Sequence, residues 1–188
     1  NYQEALSIYK RLNNKFGIAV CHANLGSVYY YLPNYDSALY YSLKATREFE
    51  EQSIKQFLPT TLCNAGMAYD KLGDKNKAKS YLLQAHKFNE EYDNKKELAF
   101  VMIYLGSIYK AEGQLVLAEK SVSDALALAQ KINALKEVMD ARLELAEIKA
   151  AQRNFASAYE EYRQFVIVKD TLYQKEKSRQ LAELQTQY

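Results

Sequence analysis

Leu25-Gly26-Ser27-Val28-Tyr29-Tyr30-Tyr31-Leu32-Pro33-Asn34-Tyr35-Asp36-Ser37-Ala38 decides the fold, because its small residues return at a fixed interval along the chain. Gly26 recurs as Gly66 and Gly106 and gives way to Ala146, while Ala38 recurs as Ala78, Ala118 and Ala158, each step being 40 residues. An interval of that size, with two small residues per unit, marks stacked helix hairpins that bury a shared core. Where the two helices of a hairpin cross closely, glycine and alanine let the backbones approach, and a leucine would force them apart. Such an array is expected to offer a recognition surface rather than a reaction centre.

The same interval orders nearly every other unusual residue. Gly73 and Gly113 obey it, which leaves Gly17 as the one glycine outside the register. Asn13, Ser53, Asp93 and Asn133 form one row of expected helix N-caps, and Asn34, Asp74, Gln114 and Asn154 form a second. Two caps per unit mean two helices per unit. Ala5, Ala45, Ala85 and Ala125 add a small-residue row, and Ile18, Leu58, Leu98 and Val138 add an apolar one. A rival match of residues 1–6 to 34–39 explains one segment only, whereas the longer register explains both cap rows. The pattern predicts about nine helices and no strand. An opening half-hairpin covers 1–12, first helices cover 14–32, 54–72, 94–112 and 134–152, second helices cover 35–52, 75–92 and 114–132, and a last helix starts near 155. Ile18, Cys21, His22, Leu25, Val28 and Tyr29 show the three- and four-residue spacing of an amphipathic stripe. Pro59 would break a helix interior, so a kink or a late start at Leu58 and Pro59 is expected there.

The 188 residues are 48% hydrophobic and 26% charged, enough for one substantial helical core. Net charge is +2, which exerts no strong pull on phosphate backbones or anionic lipid, so no nucleic-acid partner is expected. No run of about 18 apolar residues exists to span a bilayer. The chain opens with Asn1 rather than Met, inside an expected helix, as a trimmed piece of a longer protein would. Cys21 and Cys63 read as small buried residues on helices. His22 and His86 lie on different units, and no phosphate loop, paired zinc ligands or nucleophile elbow occurs. Neither catalytic residues nor a metal or cofactor site is expected. Of the 17 tyrosines, most should be core or groove-edge packing, with Tyr30 and Tyr31 the exposed ones.

Leu25-Gly26, Tyr29, Ala38 and Ala45, then Ala65-Gly66, Tyr69, Ala78 and Ala85, then Leu105-Gly106, Tyr109, Ala118 and Ala125 resemble the tetratricopeptide repeat in its long, 40-residue form. The likeness covers residues 1 to about 165. It departs from the pattern where the aromatic slot of the first helix holds His22, Leu62, Met102 and Arg142, and where the closing proline is missing. The resemblance implies an all-α, right-handed α-solenoid of antiparallel hairpins: an array over 1–165, built of the half-hairpin and four helix pairs, followed by an extension of the last helix over 166–188.

Such arrays resemble curved troughs lined by the first helices, which take peptides or partner helices. By that resemblance the groove carries Asn24, Ser27 and Tyr31, then Asn64, Met67 and Lys71, then Tyr104, Ser107 and Ala111. Asn24 and Asn64, one repeat apart, would bracket the backbone of an extended ligand, since an amide both donates and accepts. The other reading makes them solvated surface residues. The basic clamp of some family members is not reproduced, because Ala23 and Ser27 stand in its place.

The stretch from Tyr173 through Leu181, Leu184 and Tyr188 is similar to the linker that follows such arrays in bacterial sensor histidine kinases and related helix-turn-helix regulators. It implies the sensor portion of a signalling protein, with a protein or peptide ligand in the groove and a dimer through the C-terminal helix, on the extracytoplasmic side in preference to the cytoplasm. The alternative is a cytoplasmic scaffold or peptide receptor with no signalling output. Leu181, Leu184 and Tyr188 stand at the spacing of a two-helix seam; a frayed cap is the other reading.

Overall fold

The computed structural model describes residues 2–186; Asn1 and the Gln187-Tyr188 end of the expected seam lie outside the described residues. The helices are α1 (Tyr2–Arg11), α2 (Lys15–Tyr31), α3 (Tyr35–Glu51), α4 (Leu58–Lys71), α5 (Lys75–Glu91), α6 (Lys95–Ala111), α7 (Leu115–Lys131), α8 (Leu135–Ala151) and α9 (Phe155–Thr186). No strand occurs among the described residues. A 3-10 turn over Lys55–Phe57 precedes α4, and Pro59 lies in that helix's first turn, where a missing N–H costs no bond. The expected late start is therefore what is found.

One kind of turn joins every helix to the next. After each helix comes a residue with positive φ: Asn13 at 50°, Ser53 at 58°, Gly73 at 89°, Asp93 at 53°, Gly113 at 75°, Asn133 at 54° and Arg153 at 61°, with Pro33 at 21° in the remaining turn. The following residue sends its N–H back five positions, as Asn14 does to Tyr9 O (2.9 Å), Asp74 to Tyr69 O (3.0 Å) and Gln114 to Tyr109 O (2.8 Å). This is the Schellman closure, which satisfies carbonyls that a helix end leaves open. Asn13, Ser53, Asp93 and Asn133 are thus not the N-caps expected from their type. They end the helix before. After Asn13 the cap falls one residue later, where Asn14 Oδ1 accepts from Gly17 N at 2.8 Å, whereas Ile54 and Ala134 in the matching places make no side-chain cap bond. The second row stands: Asn34 accepts from Ser37 N at 3.1 Å, Asp74 from Lys77 N at 3.0 Å and Asn154 from Ser157 N at 3.2 Å, while Gln114 makes no such bond.

Contacts divide the chain into two compact units, one ending at Val101 and the other beginning at Met102, within α6. In the first unit α2 packs on α3, α3 on α4, α4 on α5 and α1 on α2, and α2 also touches α4. Ala38, Ala45, Ala78 and Ala85 are fully buried at these crossings. A methyl group on Gly66 would sit 2.8 Å from Leu82 Cγ and 3.1 Å from Ala78 O, so the glycine is demanded by space, not by backbone shape. A methyl group on Gly17, the residue outside the register, would likewise sit 2.5 Å from the Tyr9 ring. The second unit repeats the arrangement with Ala118, Ala125 and Ala141 buried, Gly106 facing Val122 and Ala118, and Ser121 Oγ donating to Met102 O at 2.8 Å. Here α7 packs on α8 and α8 on α9.

Two sets of buried polar groups in the first unit are paired across helices. His22, 1% exposed, meets Glu48 Oε2 through Nδ1 at 2.6 Å and stacks on Tyr41. Thr46 Oγ1 donates to Ser42 O and lies 2.9 Å from Thr61 Oγ1, linking α3 to α4. Cys21 and Cys63 are free and buried, and burial pushes the Cys63 thiol up to about 12, which removes it from thiolate chemistry at neutral pH. His22 is a packing residue, as its place on an apolar stripe implied.

Candidate functional site

The groove residues expected in the first unit come from α2 and α4. Asn24 and Ser27 on α2 and Asn64 on α4 are half-buried, and Tyr31 and Lys71 are exposed. Asn64 Nδ2 donates to Ser27 Oγ at 2.8 Å, and Ser27 Oγ donates to Ala23 O at 3.3 Å, so a polar bridge spans the two helices. A carboxamide has two donors and an acceptor, and this bridge engages one donor. Asn64 is held in place by it.

Met67 does not line the surface. It is 7% exposed, and its sulfur takes the Cys63 thiol at 3.8 Å one turn earlier on α4. The position borders the packed face of the helix, and a long apolar side chain there folds inward where Ser27 stays half-buried. Tyr31 is 78% exposed as expected, but Tyr30 is half-buried against Tyr35, and Tyr40 is 58% exposed.

In the second unit Tyr104 and Ser107 are half-buried on α6. What the sequence reading missed is the charge one turn beyond Ser107. Lys110 Nζ lies 2.9 Å from Glu144 Oε1 and also binds the Glu147 carboxylate, joining α6 to α8. Continuing the rows that begin at Asn24 and Ser27 by three repeats reaches Glu144 and Glu147, so the signal was present one unit further on. Burial works against the charge on Lys110, but the two carboxylates outweigh it and its pKa is raised. On the other side of α8, Glu119 binds Lys149 at 2.5 Å and Gln152 at 2.8 Å, which lowers the Glu119 pKa. Arg142 meets Glu161 at 2.5 Å and ties α9 to α8.

Glu137, Asp140, Glu144 and Glu147 recur at three- and four-residue steps and so share one side of α8. Burial raises the Asp140 pKa, with Glu137 adding to the rise and Lys136 opposing it. A raised carboxylate pKa means that the native state disfavours the ionised form, so the penalty is present above the folded pKa and vanishes once the pH drops below the unfolded value. Asp140→Asn should therefore raise the melting temperature at neutral pH, and the gain should fade as the pH falls through the carboxylate range. A gain that persists at low pH would show that charge is not its origin.

Over 169–185 α9 is exposed apart from the half-buried Leu172, and Leu181 and Leu184 are 52% and 53% exposed. Among the described residues no helix is long and apolar enough to cross a membrane, and no group of three or more His, Cys, Asp or Glu could hold a metal ion.

No family model and no curated protein matches the sequence. Solved structures do match in fold. BtubC (BKLC) from P. vanneervenii has a TM-score of 0.79 at 18% identity, covering 92% of this chain and 72% of that one. A Signal Transduction ATPase with Numerous Domains with a tetratricopeptide repeat sensor, from Pyrococcus horikoshii, has a TM-score of 0.74 at 15% identity, over 92% of this chain and 28% of that one. A Rap protein complexed with Competence and Sporulation Factor has a TM-score of 0.66 at 19% identity, over 92% of this chain and 58% of that one. This chain thus spans between about a quarter and three quarters of the length of these three proteins. It has the tetratricopeptide-repeat fold.

Proposed function

We propose that the chain is a peptide-binding sensor array of a bacterial signalling protein, whose ligand lies extended along the α2–α4 wall and is read by Asn24, Ser27 and Asn64. The bridge from Asn64 to Ser27 carries this reading, because it fixes an amide on one wall helix against its neighbour and presents it in a set orientation. Tyr31 and Lys71 flank the wall as exposed contacts, and in the second unit Tyr104 and Ser107 on α6 offer half-buried contacts of their own. The Rap protein of the same fold, solved with Competence and Sporulation Factor, supports a ligand-holding array. Residues 1–165 form the array and 166–188 the output extension, in which Leu181 and Leu184 seed a dimer that passes the bound state onward.

Two measurements test the proposal separately. A peptide-display selection should recover binders with the wild type and lose most of them with Asn24→Ala, Asn64→Ala; equal recovery removes the wall site. Sedimentation of the parent protein should give a dimer that Leu181→Glu, Leu184→Glu dissociates. A monomer before substitution removes the relay and leaves a scaffold.

A further inference from the structure

The two levels of the first unit are filled differently. Between α2 and α4, Phe49 is fully buried, stacks on Phe57 at 5.0 Å and tilts against Phe16 at 6.3 Å, forming an aromatic plug. Forty residues on, the three positions hold Asn89, Glu97 and Gln56. Asn89 is 1% exposed, and neither its Oδ1 nor its Nδ2 has a hydrogen-bond partner. Above it lies a hollow of ≈110 Å³ between α4 and α6, walled by Pro59, Cys63, Phe100 and Val101, with Asn64 and the exposed Glu97 also lining it.

Native proteins rarely leave a buried amide with both edges unmet. A partner for it must offer a donor and an acceptor side by side, and a second carboxamide does so through two antiparallel N–H···O=C bonds. A carboxylate would set its charge against Asn89 Oδ1 and near Glu97, and an ammonium would leave Nδ2 unmet. At ~30 Å³ per water the hollow takes about three or four waters, or one short side chain whose methylenes lie along Val101 and Phe100. We infer that the hollow floored by Asn89 receives the side-chain amide of a glutamine or asparagine carried by the bound peptide. The inference rests on the peptide-binding reading for its ligand, but the carboxamide site itself stands without it.

The full chain, 15N-labelled, is titrated with propionamide, with 2-butanone and propionate as controls of similar shape. Propionamide should shift the Asn89 side-chain NH2 resonances saturably, and neither control should. Asn89→Leu, which fills the hollow, and Asn89→Ala, which leaves it open, should both lose the response while keeping their helical circular dichroism. No saturable shift, an equal shift with 2-butanone, or a response that survives in both variants overturns the site, as does finding that the hollow takes water only. In the display selection, wild-type binders should carry Gln or Asn at one fixed place, and Asn89→Leu should keep binding peptides without that preference. Peptides that bind while propionamide does not sink the hollow alone. Propionamide binding with no peptide recovered sinks the wall reading alone.

Discussion

Phe49→Ala should cost the first unit about 3–5 kcal/mol, a large share of the ~5–15 kcal/mol that holds an ordinary domain together. The residue is fully buried and touches two other rings, Phe57 at 5.0 Å and Phe16 at 6.3 Å, which themselves lie 5.5 Å apart. Removing its ring takes away both the transfer energy of a large apolar group and the aromatic contacts, and a close-packed interior relaxes only in part into the gap. Urea denaturation followed by circular dichroism should show a lower midpoint with an unchanged slope. Phe49→Leu keeps most of the volume and should cost under about 1.5 kcal/mol beyond its lost ring contacts. Asn89→Ala, at the matching place one repeat on, should cost little or even stabilise, since it deletes an amide whose atoms meet no partner. Equal losses at the two positions would refute the view that one level is plugged and the next is not.

How much of this was legible in the sequence depends on whether a residue's type admits one explanation or two. Gly26, Gly66 and Gly106 admit one: a close crossing tolerates no side chain, so a strict row of glycines fixes the hairpins and their register. Asn13, Ser53, Asp93 and Asn133 admit two, because Asn, Asp and Ser serve as N-caps and also as the residues that tolerate or adjoin a left-handed turn. Type alone does not separate positions one residue apart. Gly73 and Gly113 hold the key, since they stand 20 residues from Ser53, Asp93 and Asn133 and show that every turn has a left-handed residue. The candidate surface was legible in part. Asn24 and Asn64 follow from the rows, whereas Met67 is polar-row by position and core by size. Asn89 was hidden, because beside Glu90 and Glu91 it reads as one more solvated residue at a helix end. Only its correspondence with Phe49, and the burial that goes with it, reveals what it displaces.

Gly106→Ala is the sharper test of the crossing itself. On propensity alone the change should help, as alanine favours a helix interior over glycine by about 1 kcal/mol. Space argues the other way. The added methyl would lie within the contact distance of Val122 Cγ2 and 3.3 Å from Ala118 O, and Val122 is itself fully buried, with no free direction to turn. Overpacking of this kind typically costs about 1–3 kcal/mol, and Gly106→Leu should exceed that range or prevent the second unit from folding. Shrinking the obstacle separates the two effects. In Gly106→Ala, Val122→Ala the methyl finds room, so the pair should be more stable than the sum of the two single losses predicts, a coupling that only residues in contact produce. The double variant should recover part of the propensity gain, against the cost of deleting two buried methyl groups from Val122. Melting of the four proteins, wild type, both singles and the double, reads the coupling directly. If Gly106→Ala alone proves stabilising, the helices of that hairpin stand further apart than the 40-residue rows require, and the reason given for the rows fails with it.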